Sequence, residues 1–346
     1  MRKLLILLTL TLLFVMPVSA LEITAPPVPD SGKAFMPESR ESFADGLLSI
    51  VHDALMAIRP DLREALQVCV SAAAAVMVIS VLRLLPSMKT KAADMGGVVT
   101  VAALLLHSSD SMVNLGIRTV SEISGYGKML LPVMTSALAA QGGVSSSAAL
   151  YAGTAVFDAV LCGLIENILA PMIYFFLALC TACAAVGEDM LKNSRDMVKS
   201  FMVWLLKTLL YLFTGYISIT GVVSGSTDAA ALKAAKLTIS GVVPVVGGIL
   251  SDASEAVLVT AGTVKNAAGI YGMLAVIAVW IGPFLKIGLH YMLLKLTGAV
   301  CSIFGSKEMS GLISDFSTAM GMLLAMTGSV CLMLMISLVC FMRGVG

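Results

Sequence analysis

Apolar residues dominate this chain from about residue 68 onward, and polar residues interrupt them only in short islands. Crossing a bilayer as a helix takes roughly 20 such residues. Candidate stretches cover residues 68–85, 95–106, 148–186, 201–222, 239–250, 270–285, 287–303 and 320–341. The pattern therefore predicts an all-α, polytopic membrane protein with about six to eight spans.

The first 20 residues carry a separate pattern. Arg2 and Lys3 precede a short apolar run, and small residues close the segment at Ser19 and Ala20, as in a secretory signal peptide. The apolar run is too short for an ordinary span. We therefore predict a signal peptide over residues 1–20, with an uncleaved anchor as the alternative.

Residues 21–64 are predicted to lie outside the cytoplasm, ahead of a transmembrane domain over residues 65–346. Residues 21–40 are rich in proline and typical of a linker. An amphipathic helix follows and stops at Pro60, with its apolar positions opposite Asp45 and His52. Those apolar positions are Phe43, Leu47, Leu48, Val51, Leu55 and Ile58. We expect this helix to pack on the transmembrane bundle; the membrane interface and a partner's helix are the alternatives.

Basic residues near the ends of spans indicate which ends face the cytoplasm. Two basic islands qualify, and they consist of Arg83, Lys89 and Lys91 and of Lys192, Arg195 and Lys199. The first span should therefore begin outside the cell membrane. The pattern leaves the side of Gly346 open.

Two features make the span boundaries ambiguous. The second span weakens at residues 107–110, which are polar. The tract over residues 148–186 is too long for one straight span at about 1.5 Å per residue. It predicts either two short helices or one helix bent at Pro171.

Two segments combine proline with paired glycines inside apolar surroundings. The prolines and glycines concerned are Pro132 with Gly142 and Gly143, and Pro244 with Gly247 and Gly248. Pro132 and Pro171 are 39 positions apart, as are Pro244 and Pro283, which indicates either an internal repeat or coincidence. Broken helices of this kind can be re-entrant and line a pore, because lipid cannot satisfy free backbone groups. Close packing between helices is the alternative.

Ionisable residues inside apolar tracts are costly, so they are candidates for a functional site. These are Asp158, Glu166, Lys207, Lys286 and His290, and Asp252 and Glu255 beside the second glycine pair. The eight-residue spacing of Asp158 and Glu166 predicts one broad helix face. The set could form a polar path through the bundle. Alternatively, Glu166 or Asp158 pairs with Lys207 or Lys286 as a structural contact.

Other chemistry lacks support in the sequence. Phosphate-loop, nucleophile-elbow and zinc-protease motifs are absent, so we expect no enzyme, and any ATPase should be a separate subunit. The three histidines are widely separated, and we expect no metal or cofactor. A net charge of +1 without a dense basic stretch gives no sign of nucleic-acid binding. The seven cysteines lie in apolar tracts and indicate no disulfide framework.

Several short segments resemble one protein family along nearly the whole chain. They are residues 139–145 (AAQGGVS), 165–171 (IENILAP), 234–237 (AAKL), 238–248 (TISGVVPVVGG) and 251–257 (SDASEAV). The chain resembles the stage III sporulation protein AE family of endospore-forming bacteria.

The resemblance implies a multispanning, permease-like protein in the mother-cell membrane around the engulfed forespore. There the family works with other stage III sporulation A proteins and, across the intermembrane space, with stage II sporulation protein Q. This channel complex, or feeding tube, sustains late forespore gene expression. The resemblance supplies no catalytic residues. A scaffold that assembles the complex without transporting a solute is the alternative.

Overall fold

A computed structural model of the chain describes residues 25–37, 42–83, 85, 90–186, 189–242, 247–304 and 307–343, without the side chains of residues 91, 189–190, 220–262, 264 and 304. Within these residues the protein is helical and contains no strand. The helices, in chain order, are α1 Asp30–Lys33, α2 Phe43–Ala57, α3 Arg59–Leu82, α4 Lys91–Ala140, α5 Val144–Leu164, α6 Ala170–Val186, α7 Asp189–Val242, α8 Gly247–Phe304 and α9 Lys307–Arg343. The predicted signal peptide lies outside the described residues.

The centre of the bundle is a long antiparallel hairpin of α8 and α9. Glycines let the two helices approach closely along their length. The contacts are Gly298 with the Ser310 carbonyl, Gly321 with Tyr291, and Gly269 with Met342. Helix α4 lies parallel to α9, where Gly116 meets Leu323 and Gly127 meets Leu334. These three helices supply most of the buried apolar core.

The helices are longer than the hydrocarbon layer of a membrane. Helix α9 has 37 residues, which is about 55 Å at 1.5 Å per residue, against about 30 Å of hydrocarbon. Even a tilt of about 40° would leave it longer than that layer. Polar residues within these helices therefore need not lie in lipid.

Six helical segments of the described chain are long and apolar enough to cross a membrane. They are Arg59–Leu82, Ala92–Ala140, Val144–Val186, Leu191–Ile219, Lys265–Ile303 and Lys307–Arg343. This number is the lower end of the predicted range of six to eight spans.

The structure decides two boundaries that the apolar pattern did not fix. Helix α4 continues through residues 107–110 to Ala140, so the second span does not end there. The tracts over residues 270–285 and 287–303 belong to the single helix α8, with Lys286 between them. In both places a polar interruption of the apolar pattern has a protein partner, such as Asp110 with Tyr174 at 2.7 Å.

The segment before Pro171 forms one bent passage rather than two separate helices. A π-helical turn, Ile165–Leu169, joins α5 to α6. Proline lacks the N–H that would continue the helical ladder, and its ring crowds the preceding turn. A wider π turn relieves that crowding without breaking the helix.

The segment that was predicted to lie outside the cytoplasm packs on α8, which confirms one prediction and corrects two. Helix α2 does pack on the bundle, but its buried face consists of Gly46, Ile50 and Ala54, whereas Leu48 and Leu55 are exposed. Small residues allow a closer approach to α8 than leucines would, which explains the rotated face. The described part of the predicted linker also packs on α8, because Gly32 contacts Val279.

Candidate functional site

Asp158 and His290 are the most deeply buried of the predicted ionisable site residues whose side chains are described, and Asp158 is the only acidic one of the two. The Asp158 side chain is 2% exposed and lies between α5 and α4. The Ser124 hydroxyl donates to Asp158 Oδ2 at 2.5 Å, and the Cys162 thiol lies 3.8 Å from Oδ1. One helical turn away, the hydroxyls of Thr154 and Ser337 are 2.8 Å apart. These residues form a buried polar cluster, which we call the Asp158 cluster.

Glu166 does not share the face of Asp158, so this prediction was wrong. Glu166 lies in the π turn and is exposed, whereas Asp158 points inward. Eight residues at 100° each leave about 80° between the two side chains. That angle is wide enough to put one against α4 and the other on the surface.

Lys286 pairs with neither Glu166 nor Asp158, contrary to one predicted pairing. Its ammonium group lies 2.9 Å from Asp61 Oδ1 and 3.0 Å from Glu64 Oε2, at the start of α3. One turn further on, His290 is 2% exposed, and its Nδ1 lies 3.0 Å from the Lys286 carbonyl. His290 Nε2 has no hydrogen-bond partner among the described residues. The ion pairs of Lys286 with Asp61 and Glu64 therefore join α8 to α3 rather than lining a polar path through the bundle.

Reversing the charge at Lys286 should weaken this junction. Lys286→Glu would place three carboxylates together, and we expect a loss of about 1 to 3 kcal/mol of stability, since the site is partly exposed. Adding Asp61→Lys should restore most of it. The measurement is thermal unfolding of the purified protein in detergent. Equal stability of Lys286→Glu and the parent protein would contradict the role of this pair.

A second buried charge cluster lies near the opposite end of the bundle. Arg195 of α7 donates to Asp315 of α9 at 2.8 Å, and both side chains are about one-fifth exposed. Arg195 also pairs with the more exposed Asp196 at 2.9 Å. The basic island around Arg195 was predicted to face the cytoplasm, so we call this pair the cytoplasmic cluster.

Lys207 lies on the outer surface of α7 rather than inside the bundle. It lines a shallow surface groove with Lys199 and Trp204. Trp204 is 58% exposed, which is typical of aromatic side chains near a membrane interface. The described contacts therefore place Lys207 outside any interior path.

The first Gly/Pro segment forms a turn between two helices and is not a break within a re-entrant helix. Pro132 lies within the continuous helix α4. Gly142 adopts a φ of 94°, and its N–H bonds to the Ala139 carbonyl while that of Gly143 bonds to Leu138. This is a glycine-terminated helix end, followed at once by α5.

The second Gly/Pro segment is described only in part. Helix α7 ends at Val242, and α8 begins at Gly247, so this segment also separates two long helices. Pro244 lies outside the described residues. The side chains of Asp252 and Glu255 lie outside them as well, so the predicted roles of these residues and of Gly247 and Gly248 stay predictions. The internal repeat also stays a prediction.

An apolar layer separates the Asp158 cluster from the cytoplasmic cluster. Between Cys162 and Cys180, the buried residues of the π turn and α6 are all apolar. They are Ile165, Leu169, Ala170, Ile173, Phe176 and Leu177. From Ile165 to Leu177 the layer extends about 18 Å along the helix axis at 1.5 Å per residue. Buried hydroxyls opposite it donate to backbone carbonyls, as Thr119 does to Leu115 at 2.8 Å.

Sequence reasoning missed the partners of the predicted residues. Ser124, Asp61 and Glu64 lie far along the chain from Asp158 and Lys286, so no local pattern connects them. Asp315 could have been singled out, because it is an isolated carboxylate in an otherwise apolar helix.

Comparison with known proteins gives the chain a family. A family model described as Stage III sporulation protein AE matches residues 48–344. The Stage III sporulation protein AE of Bacillus subtilis (strain 168) is 25% identical over 236 residues, which cover 68% of this chain and 59% of the relative. No solved structure matches the chain. Because the family model covers most of the sequence, from within α2 through α9, this chain belongs to the stage III sporulation protein AE family.

Proposed function

We propose that this protein is a membrane subunit of the sporulation channel complex between mother cell and forespore. Family membership supports a role in sporulation, and the six apolar helical passages support a multi-pass membrane location. The proposed location is the mother-cell membrane around the forespore. The proposed partners are the other stage III sporulation A proteins, with stage II sporulation protein Q across the intermembrane space and a separate ATPase subunit.

Within the complex, we propose that the described bundle acts mainly in assembly. The observation that carries this proposal is the apolar layer between the two polar clusters. A water-filled conduit needs polar or hydrated groups at every depth, whereas Ile173, Phe176 and Leu177 are each at most 1% exposed. The charges at Lys286 and Arg195 are also paired within the protein. Both features suit a packed scaffold.

A permease-like conduit is the second candidate, and the Asp158 cluster favours it. A carboxyl group is expensive to bury, so its presence in a membrane bundle is a sign of function. A conduit in this protein would have to open the apolar layer or run near Asp252 and Glu255.

Cysteine accessibility distinguishes the two candidates. In a variant with all seven cysteines replaced, single cysteines would be placed at Ile173 and Phe176 in the layer and at Asp252 and Glu255. Sporulating cells would then be treated with a water-soluble maleimide. We expect protection at Ile173 and Phe176, with Val144→Cys, at the exposed glycine turn, as the reactive control.

Reaction at both layer positions would favour the conduit over the scaffold. Membership of the complex has its own readout in the same membranes. A tagged protein should co-purify with other stage III sporulation A proteins after detergent extraction. Its recovery without any of them would contradict the proposed function whichever mode is correct.

A further inference from the structure

Asp158 is a buried carboxyl group whose hydrogen-bond donors are neutral. It is 2% exposed, and its donors are the Ser124 hydroxyl at 2.5 Å and the Cys162 thiol at 3.8 Å. Burying an ionised carboxylate without a countercharge costs several kcal/mol, so such a group takes up a proton instead. Its contacts therefore favour the neutral acid.

Asp315 shows what a buried ionised carboxylate looks like in the same protein. Its oxygen accepts from the Arg195 guanidinium at 2.8 Å, so a full positive charge compensates it. Asp158 has no such ion pair among the described residues. The two carboxyl groups therefore differ in the charge of their partners, and Asp158 is also the more deeply buried of the two.

The charged groups around Asp158 lie at its margins. On α4, Lys128 is one turn beyond Ser124 and is exposed. On the continuation of α5, Glu166 is two turns away and is exposed. From α7, Phe213 packs against Phe157 of α5, and from α9, Ser337 hydrogen-bonds with Thr154. Lys128 is thus the one described cation near enough to compete with a proton, and the experiment must test it.

A pair of buried hydroxyls lies beside Asp158 toward the glycine-turn end of the bundle. The hydroxyls of Thr154 and Ser337 lie one turn away at 2.8 Å from each other. The glycine turn that ends α4 lies about three turns beyond Thr154 along α5. In the other direction the apolar layer begins at Ile165. A proton could therefore be relayed through the hydroxyls but not through the layer.

We propose that Asp158 is an exchangeable proton-binding site, reached from the glycine-turn end of the bundle through Thr154 and Ser337. The carboxylate accepts a proton from water relayed by these hydroxyls and returns it along the same route. The proposal depends only on the contacts of Asp158, so it is independent of whether the protein acts as scaffold or conduit.

Infrared spectroscopy of the full chain in lipid vesicles tests this proposal directly. With isotope-labelled aspartate, a protonated carboxyl group gives a C=O stretching band that an ionised one lacks. We expect this band at neutral pH in the parent protein and its loss in Asp158→Asn. Asp315→Asn is the matched control and should leave the band unchanged. A parent protein without the band would overturn the proposal.

Exchange with heavy water tests access. Transfer to heavy water should shift the Asp158 band, because the acid proton is replaced by deuterium. Thr154→Val should slow that shift several-fold, whereas Thr119→Val, whose hydroxyl only caps a backbone carbonyl in the layer, should leave it unchanged. The proposed route would be overturned if the band never shifts, or if the shift is slowed only in Thr119→Val.

Two further outcomes would assign the site differently. If the band is missing in the parent protein and appears in Lys128→Gln, then Asp158 forms an ion pair with Lys128. If the band is present in choline chloride and lost in sodium chloride at equal ionic strength, then the site binds sodium in preference to a proton. Either result would replace the proton assignment.

Discussion

Replacing Gly153 by alanine should destabilise the contact between α5 and α7 by about 1 to 3 kcal/mol, the usual cost of overpacking. A Cβ atom at Gly153 would overlap with Tyr216 Cε1 and lie 2.7 Å from Cζ. The ring cannot move freely, because its hydroxyl donates to the Ala149 carbonyl at 3.0 Å and it packs beside Phe157. Thermal unfolding in detergent measures the loss.

Gly215 provides the matched control on the same pair of helices. It is on α7, next to Tyr216, and a Cβ atom there would meet nothing within 4 Å. Gly215→Ala should therefore be neutral or slightly stabilising, because alanine favours a helix more than glycine does. Adding Tyr216→Leu to Gly153→Ala should recover part of the lost stability. Equal losses in the two glycine variants would contradict the close approach at Gly153.

Removing Arg195 should be the most damaging single change in the cytoplasmic cluster. Arg195→Ala leaves the Asp315 carboxylate buried without its countercharge, which typically costs about 3 to 5 kcal/mol. Both side chains retain some solvent contact, so we expect about 3 kcal/mol, at the lower end of that range. The measurement is again thermal unfolding in detergent, together with the amount of protein in the membrane.

The second partner of Arg195 supplies the comparison. Asp196 is 63% exposed, so Asp196→Ala should cost less than about 1 kcal/mol. The double variant Arg195→Met with Asp315→Leu removes both charges and fills the space with apolar atoms. It should be more stable than Arg195→Ala alone. If Asp196→Ala proves as damaging as Arg195→Ala, the buried pair is not what holds α7 to α9.

The apolar pattern was sufficient to predict the class of this protein. The preference of an apolar run for lipid depends on that run alone, so the sequence predicted the all-helical fold. The described chain has six helical segments long and apolar enough to cross a membrane, within the predicted six to eight. The same reasoning predicted more interruptions between helices than the structure has in the described residues. Lys286 ends an apolar run in the sequence, yet helix α8 continues through it because Asp61 and Glu64 neutralise the charge.

The candidate site depended far more on tertiary structure. Sequence identified Asp158, Glu166, Lys207 and Lys286 as costly in lipid, and this property belongs to each residue alone. Only the packing decided that Asp158 lies buried against Ser124 and that Lys207 lies on the surface.

Sequence alone thus determined that the chain spans a membrane as helices and which side chains would need protection from lipid. Tertiary structure decided what protects each of them. Hydropathy acts through each residue's own contact with solvent or lipid. Partners such as Arg195 and Asp315 are 120 residues apart, and they meet only when whole helices pack.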